Sequence, residues 1–454
     1  MEKKMRQLFK LLVLSLALFL SVPLYAQLTP ETALQSYLDN GDNSFHWEIA
    51  DKIKVQGVTG YRLVFTSQKW QNIEWKHEMV VIVPARLRHE EALLFINGGS
   101  NEENGDPNLH KWDEGMTKVL AKMAKQNNAV TAVLWQVPNQ PLYDGLKEDA
   151  LISYTLHQYR KDGDFSWPLL FPMTKSAVKA MDVVQQLTKE KGRKKVTGFV
   201  LSGGSKRGWT TWLSGASDSR VKAIAPMVID MLNMPVSMAY QIETWGDYSV
   251  QIEDYVKLGI VQNIEDPKGA EIVTMIDPYA YRSKLTMPKM IFFGTNDEYW
   301  PVDAVKNYIA DIPGDNHLHY VPNAGHGLGD KKQALNALNA FFAINLAGRK
   351  VPPCESRLME RDGKMEMTIH TASDQLKEAV LWTAMSDDKD FRNETWTSEK
   401  LSLPGNADPV KLEISYPASG YKAFYMELIH AAPKGDPYFQ STRMFVADST
   451  HFLK

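Results

Sequence analysis

Six short, mostly apolar runs constrain this chain more than any other feature. They are Ala92 to Ile96, Ala129 to Trp135, Val196 to Leu201, Val221 to Ile229, Met290 to Phe293 and His317 to Val321. Runs of this length without polar alternation suit strands buried on both faces, as in a parallel sheet. Helical periodicity lies between them, over Met116 to Gln126, Met173 to Lys191, Trp209 to Ala216, Ala304 to Ile312 and Lys331 to Ala347. Strands alternating with helices require crossover connections, and hence an α/β sheet. Two earlier stretches, Tyr61 to Thr66 and Trp75 to Val83, alternate polar and apolar residues and read as antiparallel edge strands.

Two segments break the alternation. Pro138 to Pro172 is rich in Pro, Tyr, Trp and Asp, and Asp230 to Leu285 carries Met, Tyr, Trp and acids with weak periodicity. Both follow strands, where insertions build binding sites, and both are expected to be loops or lids over a cleft. Plain structural excursions are the other reading.

Residues 1–26 read as a secretory signal. Lys3, Lys4, Arg6 and Lys10 precede the apolar stretch Leu11 to Leu20, which is too short to cross about 30 Å of hydrocarbon, and Leu24-Tyr25-Ala26 offers a cleavage point. The mature chain is therefore expected to be secreted or periplasmic, with no stable membrane span. At the other end, Pro352-Pro353 breaks the pattern and short strands follow without helices. The expected division is a signal over 1–26, an α/β domain over 27–349 and an immunoglobulin-like all-β sandwich over 350–454.

Composition narrows the function. The 454 residues carry a formal net charge of −3, no footprint for nucleic acid. The single cysteine, Cys354, excludes an internal disulfide and a Cys-rich zinc site. The histidines show no His-Glu-x-x-His spacing, and the His-x-His pair His317 and His319 lacks a third ligand. No metal and no cofactor are expected.

The chemistry concentrates in Leu201-Ser202-Gly203-Gly204-Ser205-Lys206-Arg207-Gly208. A serine at a sharp turn between strand and helix is a nucleophile elbow. Glycines precede Ser205, but Arg207 stands two residues after it and Gly208 comes one later, so the pattern is G-x-S-x-x-G. A helix cap or a phosphate loop are the plainer readings. A serine needs a base, and this fold demands the order Ser, acid, His. Asp297 follows the strand Met290 to Phe293, and His326 follows His317 to Val321 between two glycines. Asp230 is the alternative acid. For an oxyanion, the Lys206 N–H and that of Gly99 or Ser100, in the turn Asn97-Gly98-Gly99-Ser100, are the expected donors. Asn97, Arg207 and Trp209 are the candidate substrate contacts.

Leu34 to Tyr37, Trp47, Trp167, Pro172 to Val178, Gly204 to Leu213 and Asn323 to His326 together resemble the PhoPQ-activated pathogenicity-related proteins, exported members of the α/β-hydrolase superfamily. The elbow spacing also looks like that of glucuronoyl esterases, with a basic side chain just after the serine. The first resemblance implies an α/β-hydrolase fold, a mostly parallel sheet with lid insertions, and a link to virulence and antimicrobial-peptide resistance that no residue here encodes. The expected activity is a serine hydrolase acting on a small-molecule, peptide or carbohydrate ester or amide. A serine peptidase and a non-catalytic secreted binder on the same scaffold are the alternatives. Neither substrate nor oligomeric state is legible.

Overall fold

The computed structural model describes residues 28–453, apart from 56, 193–194, 373 and 404–407. The expected signal, 1–26, lies outside the described residues.

Helix α1 (Pro30–Leu38) leads into an antiparallel meander, β1 (His46–Val55), β2 (Val58–Trp70) and β3 (Ile73–Pro84). The alternating stretches of the sequence are the middles of β2 and β3. The apolar runs become β4 (Glu91–Ile96), β5 (Val130–Leu134), β6 (Gly198–Gly204), β7 (Val221–Met227), β8 (Lys289–Gly294) and β9 (Asn316–Val321). Their order in the sheet is β1-β2-β3-β5-β4-β6-β7-β8-β9. β3 meets β5 antiparallel, and every later pair to β9 is parallel. The five residues of β5 are all buried, as are the six of β8, because helices cover both faces.

The helices between these strands are α2 (Gly115–Asn127), α3 (Glu148–Asp162), α4 (Leu170–Glu190), α5 (Lys206–Ser217), α6 (Met234–Trp245), α7 (Glu253–Lys257), α8 (Pro267–Ile276) and α9 (Lys332–Leu346). Four match the expected helices within a few residues. Ala304 to Ile312 does not. It forms two 3₁₀ turns, Ala304–Asn307 and Ile309–Asp311. Tyr308 between them has φ −147°, outside the helical range, and Pro313 stops any continuation. Both insertions are more helical than expected: the first supplies α3 and the second α6, α7 and α8.

The tail holds β10 (Glu355–Arg361), β11 (Lys364–His370), β12 (Leu376–Ser386), β13 (Thr397–Lys400), β14 (Val410–Ile414), β15 (Tyr421–His430), β16 (Tyr438–Ser441) and β17 (Phe445–Ala447). β10, β11 and β14 make a separate sheet that packs Met365, Met367 and Ile369 against Phe424, Met426 and Phe445. The opposing layer is not self-contained. β16 pairs with β9 at Ser441 and Leu318, so this layer continues the central sheet. A parallel sheet ending at β9 would leave an open edge, and the tail covers it. Tyr425, Trp396 and Met444 also join the core of the α/β region. Instead of a sandwich closed on itself, the tail forms two β layers, one of them shared with the rest of the molecule.

Candidate active site

The site forms at the carboxyl ends of β4, β6, β7, β8 and β9, where open parallel sheets gather function. Ser205 sits between β6 and α5 with φ 56° and ψ −129°, a strained conformation for a residue with a side chain. Its N–H donates to the Met227 carbonyl at 2.9 Å, and its own carbonyl accepts the Trp209 N–H at 3.0 Å. The turn explains the unusual glycine spacing. A Cβ on Gly203 would lie 2.7 Å from the Arg207 carbonyl, and one on Gly208 would lie 2.8 Å from the Met227 carbonyl. Gly204 has nothing closer than 4.0 Å. The two positions that must be small are therefore 203 and 208; Arg207 itself packs on Gly203, and its guanidinium reaches away to Gly98 and Glu148.

His326 comes from the loop after β9. Its Nε2 lies 2.9 Å from Ser205 Oγ, and its Nδ1 lies 2.9 and 3.0 Å from the two carboxylate oxygens of Asp297. With the carboxylate as acceptor, Nδ1 carries the hydrogen and Nε2 is free to accept the serine proton. Asp297 is 7% exposed and takes a second hydrogen bond from the Tyr299 N–H at 2.9 Å. The Tyr299 ring stacks on the imidazole with centroids 4.0 Å apart. Glu298 accepts the His326 backbone N–H at 2.9 Å.

Crossing backbones hold the two loops together. A Cβ on Gly294 would lie 2.5 Å from the Gly325 carbonyl. Asn296 donates its side-chain amide to the Phe391, Arg392 and Glu394 carbonyls of the tail, and Asn323 exchanges hydrogen bonds with Trp396 at 2.8 and 3.0 Å. The tail thus braces the turns that present Asp297 and His326, though it supplies neither residue.

The alternative acid lies elsewhere. Asp230, three residues beyond β7, is 3% exposed and makes no contact with His326 among the described residues. Burial pushes its carboxyl well above the ordinary range; the Tyr308 hydroxyl beside it opposes the shift, and the charges of Asp297 and Asp303 add to it.

Of the expected oxyanion donors, Lys206 directly follows the serine. Lys206 opens α5, so its N–H has no acceptor four residues back. Gly99 has φ +149°, and a Cβ there would press on Gln136 at 3.1 Å. Its carbonyl accepts from Gln140, and that of Ser100 accepts from Asn108.

The three candidate substrate contacts separate. Trp209 is 4% exposed and lines a cavity beside Ser205. Asn97 folds its side chain onto the Gly98 N–H at 2.9 Å. Arg207, expected at the substrate, instead forms a two-pronged pair with Glu148 at 2.6 and 2.7 Å and lies against Gly98. Glu148 is the first residue of α3, so the first insertion pins the elbow. Lys206 adds its ammonium to Glu148 at 2.9 Å and to Asp149 at 3.0 Å. Burial opposes ionisation of Glu148, but the hydrogen bonds and charges of Arg207 and Lys206 prevail and hold it down at about 2.

Sequence reasoning missed Glu148, Asp149, Tyr299 and the methionines of the second insertion. The run Asn296-Asp297-Glu298-Tyr299 and the Met-rich composition after Asp230 were the available signals. A cleft of about 1060 Å³ also opens between α6 and the tail, near Val236, Met359 and Phe452, and holds none of the candidate residues.

Residues 34–392 match the sequence profile of the PhoPQ-activated pathogenicity-related protein. The chain belongs to that family. A relative of this PhoPQ-related chain is autocrine proliferation repressor protein A of Dictyostelium discoideum, 29% identical over 453 residues, 92% of this chain and 90% of that protein. Among solved structures, acetyl xylan esterase 1 from Thermoanaerobacterium sp. JW/SL YS485 aligns with a TM-score of 0.48 at 15% identity, over 70% of this chain and 93% of its own. An S-formylglutathione hydrolase from Agrobacterium tumefaciens aligns with a TM-score of 0.44 at 12% identity, over 66% and 99%. The PhoPQ-related chain thus has hydrolases among its structural neighbours.

Proposed function

We propose that this protein is a serine hydrolase that cleaves an ester or amide through an acyl-enzyme, and that it acts after export. The observation that carries the reading is the unbroken chain Ser205 Oγ, His326 Nε2, His326 Nδ1 and Asp297, each step at 3.0 Å or less.

The chemistry follows from that geometry. His326 Nε2 takes the Ser205 proton as Oγ bonds to the substrate carbonyl carbon. The carbonyl oxygen becomes an oxyanion, and the Lys206 N–H with that of Gly99 or Ser100 receives it. Asp297 stabilises the imidazolium and keeps its tautomer. The imidazolium then gives its proton to the departing alkoxide or amine as that bond breaks. A water repeats the sequence on the acyl-enzyme and releases the acid. Tyr299 over the imidazole shields it from solvent on one face.

Hydrolysis of p-nitrophenyl acetate tests the reading. The purified protein should turn it over, and Ser205→Ala should lower kcat by on the order of 10⁶, as loss of a serine nucleophile does elsewhere. A folded Ser205→Ala protein with unchanged turnover would remove the serine from the mechanism.

A further inference from the structure

The cavity beside Ser205 is small. Its volume is about 40 Å³. Sites for ordinary small molecules run to about 300–1,000 Å³, and one water needs about 10–15 Å³ in this measure. A group of a few heavy atoms fills it. Its walls are Ile229, Met231, Met234, Met238 and Val261, with Trp209 beneath. The indole nitrogen donates to the Ile276 carbonyl, so Trp209 offers the cavity only carbon.

The surrounding charges are already matched. The Lys206 ammonium is taken by Glu148 and Asp149, and the Arg207 guanidinium by Glu148. Asp149 also accepts the Tyr255 hydroxyl at 3.0 Å. Asp297 and Glu298 add two more acids beside His326. Neither cation next to the nucleophile is left for a substrate carboxylate, and the acids there outnumber the bases. A negatively charged acyl group would meet repulsion and no partner.

We infer that this cavity is the acyl pocket and that it takes short, uncharged acyl groups, with acetyl the best fit. The inference rests on the serine-hydrolase reading and names its substrate class: acetyl esters of bulkier alcohols. Ser205 Oγ bonds to the acetyl carbon, the ester C–O bond breaks, and the alcohol leaves with the proton carried by His326. Water then releases acetate. The bulk of the substrate belongs to the alcohol, which need not enter the cavity. Methionine walls are adaptable, so a propionyl group enters by rotamer change while a long chain does not.

The test compares p-nitrophenyl acetate, butyrate, octanoate and succinate on the full chain and on Met234→Ala and Met238→Ala. Each added methylene beyond the fit costs about 10-fold or more. The wild type should therefore favour acetate over octanoate by at least about 10²-fold in kcat/KM, and acetate over succinate by a similar factor. At least one methionine variant should shift the butyrate-to-acetate ratio upward by about 10-fold. Equal rates on acetate and octanoate, a preference for succinate, or ratios unchanged in both folded variants would overturn the pocket assignment. Labelling with a fluorophosphonate bearing only methyl and ethyl groups separates the two failures. Labelling of Ser205 with flat chain-length selectivity sinks the pocket and leaves the hydrolase. No labelling and no hydrolysis of any ester sinks both.

Discussion

The loops after β7 and β8 begin at neighbouring strands, point the same way and each carry an aspartate, yet the two carboxyls live in different worlds. Asp297 accepts hydrogen bonds from an imidazole and from a backbone N–H. Asp230 is enclosed, with its Oδ1 unpartnered among the described residues. The difference shows that position at a strand end does not make an acid useful. Contact with the imidazole that faces the serine does. The second insertion starts at Asp230, and Tyr308 lies beside its carboxyl, whereas the loop after β8 is held against the His326 loop by crossing backbones at Gly294.

The sharpest way to break this contrast is Asp297→Asn. It should lower kcat on p-nitrophenyl acetate by on the order of 10⁴, the cost of a wrong imidazole tautomer, while the melting temperature stays near wild type. A loss of tenfold or less would move the orienting role elsewhere.

A third acid extends the comparison. Asp277, in the second insertion, is fully buried, and burial pushes its carboxyl up to about 7 despite the N–H groups of Met234 and Tyr279. In the unfolded chain it titrates near 4. Because the folded value is the higher one, its contribution to stability is full below about pH 4 and is lost as pH rises to about 7. Denaturant titrations should show that decline at a slope approaching about 1.4 kcal/mol per pH unit. Buried Asp230 and Glu427, also raised, add to the slope, so Asp277→Asn should lower it by up to about 1.4 kcal/mol per pH unit; an unchanged slope would show that Asp277 is ionised in the fold.

Gly203→Ala should destabilise the protein by about 1–3 kcal/mol by overpacking, and Gly204→Ala, where a methyl has room, by less than about 0.5 kcal/mol. Equal shifts in melting temperature would deny that the elbow turns on positions 203 and 208.

The smallest effect belongs to Asp230→Asn. A neutral carboxylic acid and an amide are nearly isosteric, so turnover at pH 7 should stay within about threefold of wild type, where Asp297→Asn loses on the order of 10⁴. A large loss at Asp230 and a small one at Asp297 would reverse the assignment.

The parts visible in the sequence were those written in local patterns. The apolar runs marked the six inner strands because burial on both faces forbids polar alternation. Ser205, Asp297 and His326 stood out as polar residues at the ends of those runs. What stayed hidden depends on distance in space. Nothing near Arg207 announces that Glu148, on α3, will take its guanidinium. The α6 pattern was blurred because a helix covering a cavity buries Met234 and Met238 while Val236 and Ile242 stay exposed. The tail read as independent because turn residues divide its strands, but pairing of β16 with β9 is a match between backbones and leaves no mark on side chains.

The central claim is that Ser205 attacks and is itself acylated. Its most direct test is to treat the intact protein with a small fluorophosphonate, digest it and locate the added mass by peptide sequencing. The adduct is predicted at Ser205 alone, forming far more slowly in His326→Ala. An adduct on another residue, or an unmodified Ser205 in a folded protein that hydrolyses p-nitrophenyl acetate, would contradict the account.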